Sequence, residues 1–158
     1  ETSGEDLAGQ EQVRVFESVR AAAEFLRTTE GNILITTGSK ELKEYTKIGN
    51  YQERCFARVL STKAAVEESV RLGFEGKHLI AMQGPFSEEM NLALLHQTRA
   101  RYFVTKESGK AGGFEEKLKA AKKAGAVLIV IGRPQERGRS VQEVCHFIES
   151  NFGKKEQE

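Results

Sequence analysis

Asn32-Ile33-Leu34-Ile35-Thr36-Thr37-Gly38-Ser39-Lys40 decides the reading of this chain. An apolar, β-branched run that stops at a polar turn containing glycine reads as a buried strand, and the segment after it has helix-like spacing. The unit recurs on both sides. Strand-like runs fall at 13–16, 32–37, 54–60, 78–83, 101–106 and 126–132. Between them apolar residues recur at three- and four-residue steps, as in Val19, Ala22, Ala23, Leu26 and in Val141, Val144, Cys145, Ile148, Phe152, so each helix has one face to lay on a sheet. Helix starts are marked by Ser140 with Glu143 as a capping box and by Glu88 and Glu89 in a first turn. Strand alternating with helix predicts an α/β fold: a Rossmann-like, mostly parallel sheet of five to six strands with helices on both faces. In such sheets ligands sit beyond the carboxyl ends of the strands, which directs attention to the loops leaving each strand.

Composition sets the bounds. With 158 residues, 39% hydrophobic and 30% charged, the chain suits one globular domain or half of a larger two-domain protein. A formal net charge of +1 argues against a large nucleic-acid footprint. No apolar run approaches the roughly 20 residues of a membrane span, and the acidic start has no signal-peptide pattern. Two distant cysteines, Cys55 and Cys145, suit a reducing compartment, so a cytoplasmic location is expected. Residues 1–11 read as a linker or disordered lead-in, 12–153 as a single domain and 154–158 as a disordered tail. The absence of Met at position 1 suggests an excised piece.

Three loops have the composition to meet an anion. In Thr36-Thr37-Gly38-Ser39-Lys40, glycine permits close backbone approach, and helix-start N–H groups with two hydroxyls offer donors; an ordinary turn with Ser39 as N-cap is the plain alternative. Met82-Gln83-Gly84-Pro85-Phe86 is a turn into a helix, with Pro85 suited to the first helical position. Its Phe86 either stacks on a ligand or joins Met90, Ala93 and Leu94 in a core stripe. Thr105-Lys106-Glu107-Ser108-Gly109-Lys110-Ala111-Gly112-Gly113 is the richest: Lys106 and Lys110 stand among the hydroxyls of Thr105 and Ser108 and the glycines Gly109, Gly112 and Gly113. It is neither a Walker loop nor a dinucleotide fingerprint. Arg58, among Phe56, Val59 and Leu60, needs either a partner carboxylate or an anionic ligand. The three histidines lack metal-ligand spacing, so no metal site is expected. Cys145 beside His146 belongs to an apolar stripe and is not read as a nucleophile pair.

Taken together, Leu34-Ile35-Thr36-Thr37-Gly38-Ser39, Ala57-Arg58-Val59-Leu60, Ile80-Ala81-Met82-Gln83-Gly84-Pro85-Phe86-Ser87 and Val104-Thr105-Lys106-Glu107-Ser108-Gly109 with Gly112-Gly113 resemble the C-terminal half of the precorrin-6A reductase family of cobalamin biosynthesis. The resemblance runs from about Val13 to Phe152. It implies an oxidoreductase that uses NADPH or NADH to reduce one carbon–carbon double bond of a tetrapyrrole, precorrin-6A or cobalt-precorrin-6A. Family members have two Rossmann-like halves with the ligands in the cleft between them. The N-terminal half has no counterpart in this sequence, so this piece alone is expected to be inactive. Ser61 stands where the family pattern suggests proline.

The site residues expected to bind cofactor or substrate are therefore Thr37, Gly38, Ser39, Arg58, Gln83, Gly84, Pro85, Phe86, Thr105, Lys106, Ser108, Gly109, Gly112 and Gly113. No catalytic residue is assigned. Two other readings stand beside the reductase. One is a non-catalytic Rossmann-like module holding a nucleotide or anionic metabolite, since a fold of this kind does not select a function. The other is a phosphate-processing enzyme, disfavoured because no acidic metal-binding cluster follows a strand.

Overall fold

The computed structural model describes residues 12–106 and 114–132. The linker, the tail, the Ser140 capping box and the 141–152 stripe lie outside the described residues, as does the loop from Glu107 to Gly113. Six strands form one sheet: β1 (Val13–Phe16), β2 (Asn32–Ile35), β3 (Cys55–Val59), β4 (Leu79–Ala81), β5 (Ala100–Lys106) and β6 (Val127–Ile131). All of its pairings are parallel, in the order β1-β6-β5-β2-β3-β4. The helices are α1 (Val19–Leu26), a single turn α2 (Tyr51–Arg54), α3 (Lys63–Arg71), α4 (Glu88–Thr98) and α5 (Phe114–Ala124), with 3-10 segments at Leu42–Lys47 and Gly76–His78.

Alternation along the strands divides the core into two layers. Ile33, Ile35, Cys55, Ala57, Val59, Tyr102, Val104, Ile129 and Ile131 face α1, the 3-10 segment and α3. Leu34, Phe56, Phe103, Leu128 and Val130 face α4 and α5, which also pack on each other. Hydroxyls fix the helix starts: Ser18 accepts from the Ala21 amide at 3.0 Å, Thr62 from Ala65 at 3.2 Å and Ser87 from Met90 at 3.1 Å.

The order of strands places the site. From β2 the chain moves outward through β3 to β4, then returns to set β5 on the opposite side of β2 and continues to β6. β2 is thus followed by a strand on one side of it and β5 by a strand on the other, which makes the β2/β5 boundary the switch point of the sheet, the place where ligands bind in folds of this kind.

Candidate functional site

At that point the chain is tied down before it turns. Beyond Ile35, the Thr36 amide and hydroxyl both donate to the Val104 carbonyl, at 2.9 and 2.5 Å. Thr37 is buried, and its hydroxyl shares a 2.9 Å hydrogen bond with the hydroxyl of Tyr45. Gly38 then takes φ +92°, and a Cβ built there would have no neighbour within 4 Å. Among the described residues the turn is thus open on that side. The amides of Gly38, Ser39 and Lys40 have no partner among the described residues.

Two expectations for this loop need correction. Ser39 is not an N-cap: its carbonyl accepts from Leu42 at 3.3 Å, and the helical segment is a 3-10 run whose cap residue is Glu41, without a side-chain cap bond. Leu42, Tyr45 and Ile48, all buried, recur at three-residue steps, which suit a 3-10 segment and an α-helical stripe alike. Lys106, at the end of β5, forms an ion pair with Glu41, both side chains being nearly half exposed. The fixed charge on this rim is consequently shared between the two loops. Beside it lies a cavity of about 350 Å³ lined by Glu17, Ser18, Val19, Glu41, Lys106, Ile131 and Gly132.

Arg58 occupies a second position on the same edge. It projects from β3 into the layer beneath α4, and only 6% of it is exposed. Nη1 donates to Asn91 Oδ1 at 2.7 Å, and Cζ lies 3.6 Å from the centroid of the Phe86 ring. No carboxylate pairs with it among the described residues; Glu88, in the first turn of α4, is paired with Lys123 at 2.5 Å. Burial pulls the guanidinium pKa down to about 10, as expected for a charge removed from water without a counter-ion. The other face of the Asn91 amide is also unsatisfied: Nδ2 is buried with no partner.

The turn from β4 departs from the sequence expectation at Pro85 and decides the alternatives left for Phe86. Pro85 is not the first helical residue, since Ser87 caps α4 and the Gly84-Pro85 bond is cis. The buried stripe of α4 is Asn91, Leu95 and Thr98, whereas Met90 is exposed; Phe86 belongs to the Arg58 cluster. Gly84 lets the backbone sit close under the Phe86 ring: a Cβ there would stand 3.2 Å from it and push the ring by a few tenths of an ångström. Gln83 Oε1 accepts weakly from the amide and hydroxyl of Ser61, at 3.4 and 3.3 Å, joining the loops after β3 and β4. A proline at position 61 has no N–H to give.

The fold therefore brings Thr37, Gly38, Ser39 and Lys106 to the switch point, and Arg58, Gln83, Gly84, Pro85 and Phe86 to the same edge one to two strands away. Gly38 and Gly84 share one rim, separated by roughly 10 Å at the usual strand spacing. Thr105 instead turns inward, buried beneath α5, and accepts from Lys117 Nζ at 2.7 Å. Ser108, Gly109, Gly112 and Gly113 lie outside the described residues. The sequence reading missed Glu41, Asn91 and Lys117. Asn91 had a legible signal, a polar residue in phase with Leu95 and Thr98 on a helix; the other two are surface-type residues in charged segments, with no signal to separate them from their neighbours.

This edge can be set beside known proteins. Residues 3–149 match the family described as Precorrin-6x reductase CbiJ/CobK. The chain belongs to that family. Among curated members, the cobalt-precorrin-6A reductase of Priestia megaterium is 39% identical over 133 residues, which cover 80% of this chain and 52% of that protein. The enzyme of the same name from Methanothermobacter thermautotrophicus is 48% identical over 83 residues, 52% of this chain and 28% of the relative. That of Salmonella typhimurium is 38% identical over 117 residues, 74% and 44% respectively. This precorrin-6x reductase family chain thus spans about half the length, or less, of these relatives. A solved CobK precorrin-6A reductase superposes with a TM-score of 0.57 at 22% identity, over 77% of this chain and 47% of that one, and so shares the fold. No helix among the described residues is long and apolar enough to cross a membrane.

Proposed function

We propose that this chain is the C-terminal Rossmann-like half of an NAD(P)H-dependent reductase acting on precorrin-6A or cobalt-precorrin-6A. It would supply one wall of a cleft whose other wall is an N-terminal Rossmann-like domain. The observation that carries this reading is the β2/β5 switch point, where the open turn at Gly38 and the Lys106 ammonium stand together on the carboxyl edge. Family membership supplies the chemistry; the edge supplies the means of holding its reactants.

The residues fit such ligands. A dinucleotide carries phosphates and the macrocycle carries carboxylates, and each accepts from backbone N–H groups of the kind Gly38, Ser39 and Lys40 present. When bound, the reduced nicotinamide supplies a hydride to one carbon of the double bond while a proton reaches its neighbour. The contribution of this chain is to bind and orient. Lys106, with Glu41 as its resting partner, offers a charge that an incoming anion can share or take over. Arg58, Gln83 and Phe86 shape the β3/β4 end of the same wall.

The test uses a longer protein that contains both halves. With precorrin-6A or its cobalt form it should oxidise NADPH or NADH in a substrate-dependent manner, whereas the 158-residue chain alone should not turn over. Ligand binding without any turnover in the longer protein would favour a non-catalytic binding module instead.

A further inference from the structure

We propose that Arg58 and Asn91 form a site for a single carboxylate group, with Phe86 as its movable cover. The inference starts from two deficits that adjoin. A guanidinium that is 6% exposed has an amide oxygen and an aromatic face as its described partners and no carboxylate. The amide it touches leaves Nδ2 buried and without a partner. Either deficit alone is costly, and folded proteins seldom leave both at one place without a use for them.

The chemistry of the pair selects the ligand. The remaining guanidinium N–H groups form a planar fork, and the Asn91 NH2 adds donors beside it; a carboxylate has two oxygens in one plane and accepts from both. One buried positive charge is balanced by one negative charge. A phosphate dianion would exceed that balance and leave excess charge in a poorly solvated place. The candidate carboxylates of α4 do not compete, since Glu88 is bound to Lys123 and Glu89 is on the exposed side. Phe86 is half-buried and follows the exposed residues Gln83, Gly84 and Pro85, so its ring sits on the element able to yield. This rests on the reading of the rim as a wall for an anionic ligand, and it names which part of that ligand is held here: one acidic side chain of the macrocycle rather than a cofactor phosphate.

The test is a titration of the 15N-labelled 158-residue chain with sodium propionate at constant ionic strength, following the Asn91 NH2 and Arg58 Nε–H resonances together with the backbone amides of Phe86, Ser87 and Asn91, which every variant retains. All are expected to shift saturably with propionate and to ignore propionamide. Arg58→Lys keeps the charge but not the planar fork, and should weaken the response at least ten-fold. The double variant Arg58→Met/Asn91→Leu should lose the response and, freed of an uncompensated buried charge, melt a few degrees higher. Unmoved resonances, an equal response to propionamide, or undiminished affinity in Arg58→Lys would overturn the proposal. A lower melting temperature in the double variant would make the pair structural, and tighter binding of inorganic phosphate or NADPH at these resonances would overturn the carboxylate assignment. The outcome is separable from the reductase reading: propionate binding without turnover in the longer protein removes only the reductase, and turnover without propionate binding removes only this site.

Discussion

The guanidinium carbon of Arg58 lies over the ring of Phe86, Cζ to centroid 3.6 Å, and so joins β3 to the loop that follows β4. A cation stacked on an aromatic ring away from water gains more than one stacked at the surface, on the order of 2 kcal/mol. Phe86→Leu keeps an apolar side chain but removes the ring quadrupole. The expected loss is about 1–2 kcal/mol in urea denaturation, and it should nearly vanish in an Arg58→Met background. Equal losses in both backgrounds would mean that Phe86 contributes area alone.

Lys106 and Glu41 link the loops on the two sides of the switch point, and both are nearly half exposed. An ion pair so placed contributes little to stability, below about 1 kcal/mol, because water competes for both partners. Lys106→Ala should accordingly change the melting temperature only slightly while weakening binding of the anionic ligand in the longer, two-half protein. A marked fall in melting temperature with unaltered affinity would reverse that assignment and make Lys106 a brace between loops.

Gly38 and Gly31 give an internal comparison. Both have positive φ, +92° and +107°, but a Cβ at Gly38 meets nothing within 4 Å, whereas at Gly31 it would stand 2.9 Å from Arg101 Cδ. Gly38→Ala adds backbone strain without a clash and is expected to cost about 1–2 kcal/mol. Gly31→Ala adds displacement of the Arg101 side chain, so it should cost more. Only Gly38→Ala should also weaken ligand binding in the two-half protein, since its methyl would fill the approach. The pair of denaturation curves, read beside the two affinities, separates a turn kept for a ligand from a turn kept for the fold.

These contrasts show what the letters alone can carry. The runs in β2 and β6 announce their strands because buried parallel strands are apolar throughout, and each run ends at a turn that breaks the pattern. The Ser39 reading failed for a physical reason: Leu42, Tyr45 and Ile48 fit a helical stripe of either period, and the hydrogen bonds that choose 3-10 geometry are not visible in spacing. For Phe86 the letters leave open a ligand stack or a stripe with Met90, Ala93 and Leu94, because a stripe is drawn most easily through apolar residues. The buried face of α4 runs instead through Asn91 and Thr98, whose burial depends on Arg58 and on backbone acceptors such as Leu94. The candidate site was therefore legible as an edge and as a set of loops. Its pairings, Lys106 with Glu41 and Arg58 with Asn91, were not, because residues 65 and 33 positions apart meet only through sheet order.

The interior layer beneath α1 and α3 predicts how the fold responds to alkali. Burial pushes the Cys55 thiol from its ordinary 9.0 up to about 12, and burial likewise raises the Tyr45 hydroxyl above its ordinary 10.0, opposed in part by its bond to Thr37. In the unfolded chain both groups release their protons near the ordinary values. From about pH 9 upward the folded state thus holds protons that the unfolded state has lost, and stability falls as pH rises toward 12, by about 1.4 kcal/mol per pH unit for each proton fully retained. Between pH 9 and 10 the thiol dominates. Arg58 acts in the opposite sense at higher pH, where its lowered value favours the folded state once the guanidinium begins to lose its proton. Cys55→Ala should be less stable at neutral pH through lost packing, yet show a shallower decline between pH 9 and 10 in urea midpoints taken at constant salt. A decline as steep as that of the unsubstituted chain would mean that Cys55 is not held protonated by its surroundings, and that this layer admits water.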